Sequence, residues 1–237
     1  MTEELNYRNY LELDALLSLQ KPRSAGKSAA HSTVLSEQFF IIAHQASELW
    51  LRQIITDVEA AVDAFTTADD TAPAEWIIDL LGRAGGLVEL LHHQLTVLER
   101  LPTADFAAFR PLLGTASGAQ SPQFHRLAQL LGTNAHEGLL YASLAAWATR
   151  CGRSVDELAR QTPGGGVGYR LVETLLDLGS GYWRWQVEHV ALVARTLGTR
   201  PGTGGSSGAA YLLGRCSLPF GELRALRAAA HAQLSAA

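Results

Sequence analysis

Cysteine is scarce. Two residues, Cys151 and Cys216, occur in a chain of 237. That is too few for a disulfide framework and fits a reducing compartment. Charge is sparse as well: 18% of residues are charged, and 19 Lys and Arg are scattered among 23 Asp and Glu for a formal net charge of -4. No basic face for nucleic acid follows from that balance. No uninterrupted apolar run reaches the ~18 residues of a membrane span. The opening MTEELNYRNY is polar and acidic, unlike a signal or transit peptide. A cytoplasmic location is the expectation. Val, Ile and Thr seldom cluster and no stretch alternates, which excludes a strand-rich fold. No internal repeat is found.

What is present is apolar and helix-forming. Hydrophobic residues make up 47% of the chain, dominated by Ala and Leu, enough for a sizeable core and against disorder. The length suits one domain, residues 1–237. Periodicity predicts a helical stripe over 8–20 (Tyr10, Leu11, Leu13, Leu16, Leu17), a loop over 21–30 and a long helix over 33–65. Residues 66–74 break the pattern, with the Asp69-Asp70 pair reading as a solvated cap. A helix over 75–100 follows, with Gly82, Gly85 and Gly86 as weak points. A short helix over 103–113 has Thr103 or Asp105 as its cap. Residues 122–132, 136–150 and 153–161 are helical, and 169–198 is a long helix that Gly179 and Gly181 could split. Residues 199–208 cannot be regular, and one or two short helices end the chain. The expected class is all-α, a multi-helix bundle.

Four constellations could carry chemistry. In Phe40-Ile-Ile-Ala-His44-Gln-Ala-Ser-Glu48-Leu-Trp50, Phe40 and His44 share a helix face. The apolar neighbours Ile42, Leu49 and Trp50 read as burying it, so His44 needs a partner or a ligand. HExxH zinc chemistry is excluded, because Glu48 stands where its second histidine belongs. In Tyr182-Trp-Arg-Trp-Gln-Val-Glu-His189, His189 follows Trp185 by four residues on an aromatic and aliphatic stripe. A neutral imidazole there suits a haem iron; without CxxCH, no thioether would attach the haem. A packed core histidine stays open at both places. The run Arg200-Pro-Gly-Thr203-Gly-Gly-Ser-Ser-Gly208 lets backbone N–H groups approach an anion, or it is a flexible surface loop. It is no P-loop, lacking GK[ST]. Arg110 sits on a short apolar helix one turn after Phe106, placed to grip a carboxylate or to lie over apolar neighbours. His92, His93, His125, His136 and His231 carry no assigned role.

Taken together and in order, these stretches resemble the tryptophan 2,3-dioxygenase family over most of the chain. They are YRNYLELDALLSLQ (7–20), FIIAHQASELW (40–50), FAAFRPLLGTASGAQS (106–121), WQVEHVALVARTLG (185–198) and GTGGSSG (202–208). HQxxELW and GTGGSSG are the most specific. The resemblance implies a helical haem b enzyme that uses dioxygen to open the indole ring of tryptophan to N-formylkynurenine, usually as a homotetramer. It implies His189 as the iron ligand and His44 as the catalytic group that hydrogen-bonds the indole N–H. Phe40 matches the aromatic wall, Phe106 a substrate-binding position where some members have Tyr and others Phe, and Arg110 the carboxylate anchor. Thr203 matches the residue at the ammonium and carboxylate. Leu113, Ser117 and Gly118 match pocket positions, with Ser117, Gly118, Gly202 and Gly204 expected near the cofactor. Tyr7, Tyr10 and Leu11 match a segment that closes a neighbouring subunit's pocket, so a tetramer or dimer is expected. The chain departs from the family in a shortened 133–180 region, in Pro201, and in 32–39 (STVLSEQF), where an acidic approach to the distal helix is usual. A one-oxygen reaction on a modified tryptophan, or a haem sensor without turnover, are the alternatives; a product mass and a turnover assay separate them.

Overall fold

The computed structural model describes residues 4–67 and 72–235. The expected Asp69-Asp70 cap lies outside them. Eleven α-helices run through the described residues, with no strand beyond one isolated bridge between Gly132 and Glu137. They are α1 (Tyr7–Tyr10), α2 (Leu13–Leu17), α3 (His31–Thr67), α4 (Ala72–Leu98), α5 (Thr103–Phe109), α6 (Pro122–Leu131), α7 (Leu139–Arg150), α8 (Val155–Ala159), α9 (Val167–Leu197), α10 (Ala209–Leu213) and α11 (Gly221–Ser235). The expected all-α class is met.

Three long helices form the centre: α4 packs against both α3 and α9. Their Leu, Ile, Val and Ala stripes meet in one cluster with α6, α7 and α8. Ile54, Val58, Phe65, Ile77, Leu81, Leu130, Leu144, Trp147, Leu171 and Leu175 are all buried there. Helix α5 lies on α3, and α10 on α9, so the short elements of the candidate site rest on two long rigid ones.

Several local expectations fail for tertiary reasons. The 8–20 stripe is two short helices, broken where Glu12 takes a left-handed φ of 50°, and none of its residues is buried. With no core beneath it, nothing holds a continuous helix. Gly179 and Gly181 do not split α9. A Cβ at Gly179 would lie 2.9 Å from the Phe220 ring, and one at Gly181 would lie 3.5 Å from Val88; both glycines are packing contacts. Likewise Gly82, Gly85 and Gly86 leave α4 unbroken. Neither Thr103 nor Asp105 caps α5, whose N-cap is Pro102 without a side-chain bond. The helix expected from 136 begins at Leu139, because Thr133 and His136 close a turn first.

Candidate active site

Ser36, Phe40, His44 and Glu48 recur at four-residue spacing and form one stripe of α3. The His44 Nδ1 lies 2.7 Å from the Phe40 carbonyl oxygen. A carbonyl only accepts, so Nδ1 carries the proton and Nε2 keeps its lone pair. The Phe40 ring covers the imidazole with centroids 4.0 Å apart. Burial lowers the His44 pKa, against the opposing pull of the Phe40 carbonyl and of Glu48. The side chain nonetheless keeps an exposed face. Desolvation together with exposure marks a group lining an internal cleft. The apolar flank read as buried is not: Ile42, Leu49 and Trp50 are exposed on the far side of α3.

His189 faces this stripe from α9. Its pKa is pushed down to about 4, by burial first and by the charge of His44 second, so it is a neutral base at ordinary pH. The ring stacks on Trp185 at 5.5 Å and 16°. Trp185 in turn stacks on Phe124 at 5.1 Å. No hydrogen bond to His189 is found among the described residues, so stacking, not an acceptor behind the ring, sets its orientation. Neither nitrogen has a partner among the described residues, so one is available to a metal.

Arg110 begins a 3-10 turn, Arg110–Leu113, that continues α5. One terminal nitrogen donates to the Pro201 carbonyl at 2.5 Å, while Nε is buried and has no partner. A buried guanidinium N–H left unpaired costs stability, and a carboxylate is the acceptor that a two-pronged fork suits. The 200–208 loop lies against 115–117. Thr203 Oγ1 donates to the Ala116 carbonyl, and a Cβ at Gly204 would sit 3.0 Å from Ser117 Cβ, so any larger residue would have to push Ser117 back. Gly208, at φ 64°, would drive a Cβ to 2.7 Å from the Arg200 carbonyl oxygen. A cavity of about 580 Å³ lies beside Arg110, lined by Thr103, Phe106, Ala107, Thr196 and Arg200 among others. That volume is in the ~300–1,000 Å³ range of small-molecule sites, although the cavity adjoins Arg110 and Phe106 and is lined by neither His44 nor His189.

The structure thus gathers Phe40, His44, Phe106, Arg110, Ser117, Gly202, Thr203 and Gly204 along linked elements, with His189 opposite His44. Leu113 is half-buried in the 3-10 turn, and Gly118 stands in open space at the next one. Tyr7 and Tyr10 are not brought to this cleft; they are 75% and 70% exposed, with Leu11 beside them. Sequence reasoning passed over Phe109, fully buried and T-stacked on Phe106 at 5.3 Å. It took Asp105 only as a helix cap and passed over Ser121 and Gln123; all three fasten the site to α3. The signal for the α3 side was the 36-40-44-48 spacing; their partners on 105–123 left none.

Among the described residues, no group of three or more His, Cys, Asp and Glu comes together. A two-histidine, one-carboxylate iron centre is therefore not formed by them. A lone imidazole suits an iron whose other ligands a macrocycle would supply.

The family model described as tryptophan 2,3-dioxygenase matches residues 1–147 and 148–221. A tryptophan 2,3-dioxygenase of Herpetosiphon aurantiacus is 32% identical, covering 96% of this chain and 99% of its own. One from Polaromonas sp. is 31% identical over 89% of this chain and 83% of its own. One from Burkholderia pseudomallei is 30% identical over 89% and 79%. The Herpetosiphon alignment runs over 271 positions, more than the 237 residues here, so that relative carries residues this chain lacks. The two matched stretches meet at Trp147 and Ala148, inside the 133–180 region expected to be short. Matches of this extent, over an all-α fold, make the chain a member of the tryptophan 2,3-dioxygenase family.

Proposed function

We propose that this chain is a haem-dependent dioxygenase that opens the indole ring of L-tryptophan to N-formylkynurenine. The observation that carries the reading is three complementary groups, two opposed histidines and an arginine linked to them through the Phe40 and Phe106 rings. His189 is neutral and uncommitted, His44 opposes it with a free Nε2, and Arg110 has a buried, unpaired Nε.

Haem b fits the residues present: His189 would hold its iron, and Ser117, Gly118, Gly202 and Gly204 would lie near the cofactor. When bound, haem supplies the dioxygen chemistry. The chain's own residues bind and orient. Arg110 takes the substrate carboxylate through Nε and its remaining N–H groups. Thr203 donates its hydroxyl proton to the Ala116 carbonyl, which leaves its lone pairs to accept from the ammonium. His44 accepts the indole N–H at Nε2, because the Phe40 carbonyl fixes the proton on Nδ1. Phe40, Phe106 and Leu113 wall the indole and exclude water. Holding the indole C2–C3 bond at one place is the source of the rate advantage.

The chain acts as a single helical domain over 1–237, in a homo-oligomer, a tetramer or dimer. The exposed Tyr7, Tyr10 and Leu11 reach a neighbouring subunit's pocket. Among the described residues no helix is long and apolar enough to cross a membrane, in keeping with a cytoplasmic setting. The test is the reaction of the reduced, haem-loaded protein with L-tryptophan and dioxygen, read by product mass. A gain of two oxygen atoms is expected. A gain of one, or no turnover with the haem spectrum intact, refutes the reading.

A further inference from the structure

Residues 106–120 bear Phe106, Arg110, Leu113, Ser117 and Gly118, yet they contain little that could hold its own shape. The segment is the end of a seven-residue helix, a 3-10 turn, a loop and a second 3-10 turn. Pieces this short are not stable alone. Its two ends are fastened to one helix, α3, by polar anchors on either side of His44.

At the first end, Asp105 accepts three hydroxyls from the start of α3: Ser32 Oγ at 3.1 Å, Thr33 Oγ1 at 3.1 Å and Ser36 Oγ at 2.8 Å. All three hydroxyls come from the first turns of α3, and Asp105 is their common acceptor. One residue on, Phe106 packs on Phe40 with ring centroids 5.8 Å apart. At the other end, Glu48 accepts from Ser121 Oγ at 3.2 Å and from Gln123 Nε2 at 2.7 Å, and its backbone carbonyl accepts from Gln123 as well. Ser121 is also the N-cap of α6. The next ring along, Phe124, stacks on Trp185, and Trp185 on His189.

We propose that Asp105 and Glu48 are positioning residues for substrate recognition: they fasten the two ends of 106–120 to the helix that carries His44, and so set Arg110 against the carboxylate while His44 meets the indole. Neither touches substrate. The geometry makes carboxylate recognition depend on both anchors: released at Asp105, α5 swings Arg110 away from α3; released at Glu48, the 117–121 turn loses its tie to the distal helix. Binding of the indole depends on them less, because Phe40 and His44 on α3 itself carry it together with Phe106 and Leu113 of the segment.

This rests on the tryptophan reading above, so the experiment separates the two. Equilibrium binding of L-tryptophan and of tryptamine, which lacks the carboxylate, is measured on the haem-loaded full chain without dioxygen. If the wild type shows no preference for L-tryptophan, the substrate reading fails. Given that preference, Asp105→Ala and Glu48→Ala are each expected to cut it at least tenfold, with tryptamine affinity changed less than threefold. Glu48→Gln, which keeps one acceptor for Gln123, is expected to recover part of it. Ile77→Ala, a core truncation in α4 outside the segment, lowers stability and controls for a general loss of fold; its preference is expected to match the wild type. The proposal is overturned if Asp105→Ala and Glu48→Ala keep the wild-type preference, or if Ile77→Ala loses it equally.

Discussion

Replacing Arg110 with Leu separates binding from stability, because the same side chain does opposite things to each. In the free protein its Nε is buried without a partner. Such a donor costs roughly 1–3 kcal/mol, while the single bond from the guanidinium to the Pro201 carbonyl contributes about 1 kcal/mol. The two offset, so Arg110→Leu leaves the unfolding midpoint of the free protein nearly unchanged or slightly raised. The transition state loses a buried pairing between guanidinium and carboxylate. Truncating one partner of such a pair costs about 2–5 kcal/mol. At 1.36 kcal/mol per decade, the middle of that range is on the order of 10²- to 10³-fold in kcat/KM. Initial rates over a range of L-tryptophan concentrations, with urea unfolding of the same preparation, read both quantities. A variant that unfolds much more easily yet keeps kcat/KM within threefold refutes the assignment, since Arg110 would then be a structural residue.

Glu37 gives a pH prediction. It is buried on α3 and accepts the backbone N–H groups of Arg23 and Ser24, each at 2.8 Å. Burial alone pushes its pKa up, but the donations from Ser24 and Arg23 hold it below its ordinary 4.5. The folded value therefore lies below the unfolded one. The stabilisation is complete above about pH 4.5 and is lost as pH falls through the folded pKa. Glu37→Gln is expected to flatten that acid limb in unfolding curves; an unchanged limb contradicts it. The glycines of the long helices divide by packing. Gly85→Ala meets open space in α4 and is expected to raise stability by about 0.5–1 kcal/mol, whereas Gly179→Ala runs into the Phe220 ring and lowers it by about 1–3 kcal/mol. Stabilisation by both substitutions in thermal unfolding would show that helix propensity alone governs them, and destabilisation by Gly85→Ala would contradict the open space there. Trp147 is buried against Phe65, with its indole nitrogen unpartnered. Its replacement by Phe is expected to cost under about 1.5 kcal/mol and by Ala about 3–5 kcal/mol. Equal losses in denaturant titrations would mean that the indole N–H has a partner after all.

The long helices were legible because their faces repeat over many turns: the Ala and Leu pattern of 33–65 and 75–100 gives α3 and α4 to within a few residues. His44 and His189 were legible as candidates because each sits on such a face. What escaped was decided between segments. Gly179 looks like a helix breaker until Phe220, some forty residues away, is seen against it. Asp105 looks like a cap for its own helix, whereas its oxygens serve the hydroxyls of α3. The exposure of Ile42 and Leu49 runs against their hydrophobicity, and no local pattern tells a core stripe from an apolar outer face. Arg110 was readable as a carboxylate anchor, but its hold on Pro201 depends on a contact across ninety residues of chain.

The central claim is that His189, and not His44, holds the haem iron in this cleft. Titrating haemin into the purified wild-type chain and into His189→Ala and His44→Ala tests it most directly, followed by the absorption of the iron-bound chromophore. The account predicts one equivalent bound with a sharp Soret band in the wild type, a band of similar shape in His44→Ala, and its collapse to free-haemin absorption in His189→Ala, with exogenous imidazole restoring it. An unaltered band in His189→Ala would contradict the claim and move the iron to another side chain.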